Sequence, residues 1–488
     1  MKVLDTVLRG GQAVLQDGSI VEADIGIAGG CIAALAAPGT LSAETAVDVK
    51  GLLVMPGAVD AHIHLGHGLD ISRPRVARDA ETESAAAAAG GVTTFVSYVM
   101  GSKPFEPALF DEVCAVTACG SRVDFGLHLV ISTEEQLAAV PTYATEYGVP
   151  SFKLFMYSRC GEGARLGLPD IDDGFLFRLA EAVARCQGIL CPHCENIEVA
   201  RVLGARLMTA DPDGAGGLAA WNASRPPFVE AEAVHRVATL ARQAGAPVYL
   251  VHCTSAAALE AALAQQRLGT DLTVETCTHY LTHSVGWKGG DVGKVGPPIR
   301  EAADSETLWA ALKAGKIDVV ASDHVHRTAE AKAGGIWKAS PGFPGLQTLV
   351  AVMLSEGYHK RGLPLKLIAR VLSRNPARAM GCQSKGAIAV GRDADLAIVD
   401  LHRTWTADSA SMHSDAGFSI YDGWQFKGKV IHTMVRGRFA YRDERLCADA
   451  IGHGRYIRRS IPARRTPQSL SLSDSTQDEE AQRARVSR

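Results

Sequence analysis

The chain has 488 residues, 47% of them hydrophobic and 21% charged, enough to bury one large core with an accessory piece beside it. A formal net charge of −3 and a pI of about 6.6 give no electrostatic reason to expect nucleic acid or an anionic membrane as partner, and neither is expected. Eleven cysteines, odd in number and irregularly spaced, read as reduced thiols in place of a disulfide framework.

In chain order, Met1 runs directly into a strand-like segment with no charged-then-apolar leader, so a cytoplasmic protein is expected. Residues 3–35 alternate apolar and polar around turns at Gly10-Gly11, Asp17-Gly18 and Gly29-Gly30, the pattern of short antiparallel strands. A similar pattern returns from Gly386 through Asp395–Val399 to Lys429–Gly437. The two ends are expected to pair into one small β-sandwich domain, residues 1–52 with 386–457. Between them, apolar runs alternate with helix-length segments: Leu53–His64, Thr93–Met100, Phe125–Ser132, Phe152–Tyr157, Ile189–Cys194, Val248–Thr254, Leu272–Tyr280 and Asp318–His324. Eight such units fit a (β/α)8 TIM barrel over 53–385 better than a doubly wound sheet, so the fold class is α/β and chemistry belongs at the C-terminal strand ends. From about Arg458 to 488 the chain carries Arg, Ser, Pro, Gln and Glu with few apolar residues, and disorder is expected there. Cys191 and Cys194 have C-x-x-C spacing, yet no second pair follows at zinc-ribbon distance; neither a redox nor a structural-zinc role is expected.

The chemistry is read from the polar residues that end these runs. In a strand, residues two apart face one side, so His62 and His64 in Asp60-Ala61-His62-Ile63-His64 point together into the barrel mouth and can share a metal ion. A pair of histidines alone is weak evidence, since both can be hydrogen-bonded core or surface residues. Its place after an apolar strand raises the metal reading, as do Lys153, His193, His252 and Asp323, each at another strand end. Lys153 sits in Ser151-Phe152-Lys153-Leu154-Phe155-Met156, where desolvation disfavours the ammonium form. A neutral amine there can take up carbon dioxide as a carbamate able to bridge two cations. The alternative is a lysine that snorkels to solvent or pairs with a carboxylate.

Together these residues resemble the dihydropyrimidinase, hydantoinase and allantoinase branch of the amidohydrolase superfamily, over nearly the whole chain from Val3 to about Arg442. The segments that carry the resemblance are Asp60–His64, Gly90–Thr94, Ser151–Met156, His193–Asn196, Ser224–Pro227, Val251–Ser255, Glu275–Leu281, Ser322–His324 and Gly391–Leu396. The resemblance implies a barrel with two divalent metal ions, zinc first, bridged by a carboxylated Lys153. His62, His64, Lys153 and Asp323 would hold one ion, and Lys153, His193 and His252 the other. It also implies a homo-oligomer, a dimer or tetramer, for which Trp405–Trp424 is a candidate interface unless it packs on its own barrel. Asp323 would act as proton shuttle as well as ligand, and the substrate would be a small cyclic amide, ureide or imide.

The chain departs from the hydantoinase pattern in several places. A tyrosine there follows the bridging lysine by five positions, whereas Tyr157 follows Lys153 by four. The region Trp337–Gln347 is similar to the allantoinase version, Tyr421–Trp424 to the hydantoinase one, and the loop Ser158–Asp170 matches neither. Tyr157, Arg159 and His324 are the candidate substrate contacts. Ring opening of the dihydropyrimidine or hydantoin type is the leading expectation, with allantoinase or amidase activity on another heterocycle as alternatives. A deaminase, which lacks the bridging lysine, and a non-enzymatic scaffold, which lacks ligands, fit less well.

Overall fold

In a computed structural model of the protein, residues 3–461 are described. The N-terminal segment supplies β1 (Thr6–Val14), β2 (Ile20–Ala28), β3 (Cys31–Ala36), β4 (Thr45–Asp48) and β5 (Leu53–Pro56). β1, β2 and β3 run antiparallel, while β4 and β5 lie parallel to β1. The C-terminal segment completes the same sheet, because Leu396–Thr406 pairs antiparallel with β5, Val399 facing Leu53, and with Gln425–Val435 on its other edge. The alternation in both segments turns one set of side chains inward. Leu8, Ile25, Ile27 and Val54 from one end pack with Leu396, Ile398 and Met434 from the other.

The barrel strands follow as β6 (Ala58–His64), β7 (Val92–Val99), β8 (Asp124–Val130), β9 (Ser151–Phe155), β10 (Ile189–His193), β11 (Val248–Leu250), β12 (Leu272–Cys277), β13 (Val319–Ala321) and β14 (His324–Val325). Each pairs in parallel with the next up to β13, and β14 pairs with β6. The ring therefore closes through one eighth strand that is broken at Ser322-Asp323. Near-continuous burial of these strands is the signature of a sheet covered on both faces. The helices between them bury one stripe each; in Asp173–Arg185, Phe175, Leu176, Leu179, Ala180 and Val183 face inward, and Asp172 Oδ1 caps the start by accepting from Phe175 N at 2.7 Å. Among the described residues, no helix is long and apolar enough to cross a membrane.

Two expectations need correction. Leu53–His64 is two strands instead of one, because Gly57, whose N–H bonds Asp395 O at 2.9 Å, turns the chain from the small sheet into the barrel. The Pro56-Gly57 pair is a turn signal that reading the run as one strand passed over. The expected disordered tail begins too early: Arg459 and Ile461 are buried, and 462–488 lies outside the described residues. Arg459 is 3% exposed and donates to Leu127 O, to Ser151 Oγ at 2.9 Å and to Met380 O at 3.1 Å. A guanidinium that satisfies three acceptors is an interior residue, whatever the composition around it suggests.

The two sheets meet at a charged node. Lys385 Nζ lies 2.6 Å from Asp124, 2.9 Å from Asp393 and 2.7 Å from Asp395, and Arg436 also pairs with Asp124. Three buried aspartates could accept a metal ion, but the lysine ammonium already fills the position.

Candidate metal centre

The C-terminal ends of β6, β9 and β10, the turn after β11, and the break between β13 and β14 surround one cavity of about 100 Å³, lined by His62, His64, Lys153, His193, His252 and Asp323 among others. Strand alternation brings the first two together, as expected. His62 Nε2 lies 3.1 Å and His64 Nε2 3.7 Å from Asp323 Oδ1, and donor atoms of these three residues all fall within 4.8 Å of one another, close enough for one ion. His193 and His252 form a second pair with ring centroids 4.6 Å apart. His252 and Asp323 adopt φ of +40° and +48°, a left-handed backbone that non-glycine residues rarely take and that concentrates at functional sites.

Lys153 is buried, with Nζ 4.6 Å from the Tyr98 ring centre and 5.1 Å from that of Phe155. Its amine has no hydrogen-bond partner among the described residues, and neither has His64 Nδ1. Burial pushes the Lys153 ammonium below its usual range, while it drives the Asp323 carboxyl well up and the His62, His64 and His252 imidazoles well down. Orphaned donors around one small space are what ligands of an absent cation look like, since a buried polar group without a partner is otherwise costly.

A second layer holds these groups. Glu275 Oε1 lies 2.8 Å from His62 Nδ1 and accepts the His252 backbone N–H at 2.8 Å, and its other oxygen accepts from Tyr249 at 2.7 Å. Asp60 accepts from His62 N and from Ser322 N, both at 3.2 Å, joining the first strand to the broken eighth. His193 Nε2 meets Glu195 Oε2 at 2.6 Å, leaving Nδ1 for the cavity. Sequence reasoning missed the part of Glu275 and Asp60; an acid inside an apolar strand was the available signal.

Of the three candidate substrate contacts, Tyr157 lines the cavity, its ring 4.8 Å from that of His193. Arg159 does not, because it turns away to pair with Asp173. His324 does not either: its Nε2 is held by Glu83 at 2.9 Å, and its Nδ1 accepts from Gly345 N at 3.1 Å. Glu162, Arg165, Trp221, Arg225 and Arg327, none of them expected as a substrate contact, also reach the wall. Glu162–Leu166 forms a 3-10 turn over the mouth, bracketed by Gly161 and Gly167 at φ +79° and +68°. The segment Trp405–Trp424 packs on its own barrel: Tyr421 Oη meets Thr282 Oγ1 at 2.9 Å, and Trp424 stacks on His283 at 5.1 Å.

Residues 195–440 match the model of the amidohydrolase family. The chain is 34% identical over 471 residues to an allantoinase of Rubrobacter xylanophilus, covering 94% of this chain and 98% of that one. It is 36% identical over 465 residues to an allantoinase of Deinococcus radiodurans, covering 90% and 96%. Among solved structures, a dihydropyrimidinase from Brevibacillus agri superposes with a TM-score of 0.85 at 26% identity, covering 94% and 99%. An L-hydantoinase from Arthrobacter aurescens does so with 0.84 at 29%, covering 93% and 99%. The barrel, the cluster at its strand ends and these likenesses agree: the chain belongs to the metal-dependent amidohydrolase superfamily, in its allantoinase, hydantoinase and dihydropyrimidinase branch, and is a hydrolase of carbon–nitrogen bonds in cyclic amides.

Proposed function

We propose that the protein opens a hydantoin- or dihydropyrimidine-type ring at two divalent metal ions, zinc first, bridged by a carboxylated Lys153. The observation that carries this reading is the buried Lys153 amine, disfavoured as an ammonium and without a hydrogen-bond partner among four histidines and Asp323. Such an amine adds to carbon dioxide, forming an N–C bond and releasing a proton to solvent, and presents two oxygens where it had none. His62, His64, Asp323 and the carbamate would hold one ion; the carbamate, His193 and His252 would hold the other. When bound, such a pair makes water a nucleophile near neutral pH and polarises the ring carbonyl.

The chain's own part is positioning and proton movement. Asp323 Oδ1, beside His62 Nε2 at 3.1 Å, takes the proton of the attacking water. It returns that proton to the ring nitrogen, a poor leaving group until protonated. Glu275 fixes the two histidines it touches, and Tyr157 stands on the wall where the substrate carbonyl would lie. The names of the sequence relatives favour a second reading within this one: allantoin is itself a hydantoin with a ureido substituent.

Metal analysis with a substrate panel tests the proposal. About two ions per chain and opening of hydantoin, dihydrouracil or allantoin are expected, and Lys153→Ala should lose both metal and activity, with partial return when short carboxylic acids are added. A Lys153→Ala protein with full metal content and undiminished rate would remove the carbamate. We also propose a dimer or tetramer, supported by Val202, Met208 and Phe228, 51%, 44% and 55% exposed on two packed helices. Light scattering showing monomer alone at micromolar concentration would contradict it.

A further inference from the structure

The cavity wall is unusually rich in guanidinium groups for a site that would take a neutral ring. Arg327 is 8% exposed, and its two hydrogen bonds go to the carbonyls of Leu69 at 2.7 Å and Pro341 at 3.4 Å, none to a carboxylate among the described residues. Arg225 lies 3.9 Å over the Trp221 ring, with Glu195 at 3.7 Å as its nearest acid, and Glu195 is already engaged by His193 at 2.6 Å. Arg165 stands on the turn over the mouth, 3.8 Å from Glu162, which is also shared with Arg201 at 3.6 Å. Apart from Asp323 at the metal-site end, the acids on this wall are Glu162 and Glu195, and each is divided between two partners. The excess is felt nearby: burial first, then the charges of Arg225 and Arg165, push the Lys294 ammonium down to about 7.

Guanidinium groups only donate hydrogen bonds. A ureido substituent brings one carbonyl acceptor and several N–H donors of its own, which would meet donors on the wall. A carboxylate only accepts, matches the guanidinium fork and strengthens each bond by its charge. Resting on the ring-opening reading above, we propose that the preferred substrate carries a carboxylate on its ring substituent, bound by Arg165, Arg225 and Arg327. The ring then lies toward the metal-site residues and the anionic arm toward the arginines, which fixes which C–N bond is presented.

The test compares two rings of equal size, 5-carboxymethylhydantoin and its neutral amide, with unsubstituted hydantoin as reference, on metal-loaded enzyme. The acid is expected to exceed the amide in kcat/KM by about 10- to 100-fold. Arg327→Met and Arg165→Met should each pull that ratio toward one. Arg165, its side chain 60% exposed on the turn, gives a variant that folds even where loss of the Arg327 backbone bonds is not tolerated. An amide opened as well as the acid, or a ratio unmoved in Arg165→Met, overturns the inference and leaves ring opening standing. Failure to open any of the three rings overturns ring opening itself, and the inference with it.

Discussion

Glu275 Oε1 lies 2.8 Å from His62 Nδ1, a bond that crosses the barrel from its seventh strand to its first. The same oxygen holds the His252 backbone, so one carboxylate orients a residue from each proposed ion's ligand set. Burial pushes its carboxyl up to about 7, which makes its charge costly unless the histidines are in place. Glu275→Gln is expected to weaken metal binding by about 10- to 100-fold. Competition with a chelator measures this, and unchanged affinity would show that the histidines orient themselves.

Asp323→Asn separates ligand from proton shuttle. It keeps an oxygen beside His62 but cannot take up the water proton, so rate should fall by about 10²–10⁴-fold at saturating metal while metal content falls only modestly. Recovery to within a few-fold of the parent rate on adding zinc would leave Asp323 a ligand alone.

The Lys294 ammonium gives a pH dependence of stability with a definite sign. Its folded value is about 7, against about 10.4 in an unfolded chain. Below 7 both states hold the proton, and the full cost of burying the charge is present. Between 7 and 10.4 the unfolded state holds the extra proton, so stability rises with pH by at most about 1.4 kcal/mol per unit from this group. Lys294→Met lacks that contribution. The variant should melt above the parent near pH 7, and the gap should close toward pH 10; a gap constant over that range would contradict the shift.

Arg459→Ala removes three hydrogen bonds from a buried cation and leaves the carbonyls of Leu127 and Met380 to find other donors. A loss of about 3 kcal/mol or more is expected, read as a lower urea midpoint. A midpoint within error of the parent would mean that the strap at the end of the described chain is dispensable.

How much of this was legible in the sequence follows from where each residue stands. His62, His64, Lys153, His193, His252 and Asp323 could be gathered because each ends an apolar run, and a closed barrel brings its strand ends to one mouth. Loops obey no such rule. Arg225 and Arg327 lie between elements and Arg165 on a short 3-10 turn, and nothing in their spacing says which way they turn. Arg159 illustrates the reverse error: it belongs to the same loop as Arg165, yet Asp173 at the start of the next helix draws it outward. His324 follows the aspartate at the strand break, and the neighbouring Glu83 decides its direction. The break at Gly57 was marked by Pro56-Gly57 but passed over for a different reason, since both halves of Leu53–His64 are apolar and buried, one in each sheet.

The pairing of β5 with Leu396–Thr406 has a consequence for synthesis. β5 lies against β1 on one side and the late strand on the other, so during translation its second edge stays open until the whole barrel has been made. At ordinary elongation rates that interval is on the order of tens of seconds. An open apolar edge for that long invites pairing with other chains, so the nascent protein should depend on shielding by chaperones until its last strands emerge. Moving the whole segment from Leu396 onward to the front of the gene by circular permutation, joined ahead of Val3, would shorten that exposure and raise the yield of soluble protein.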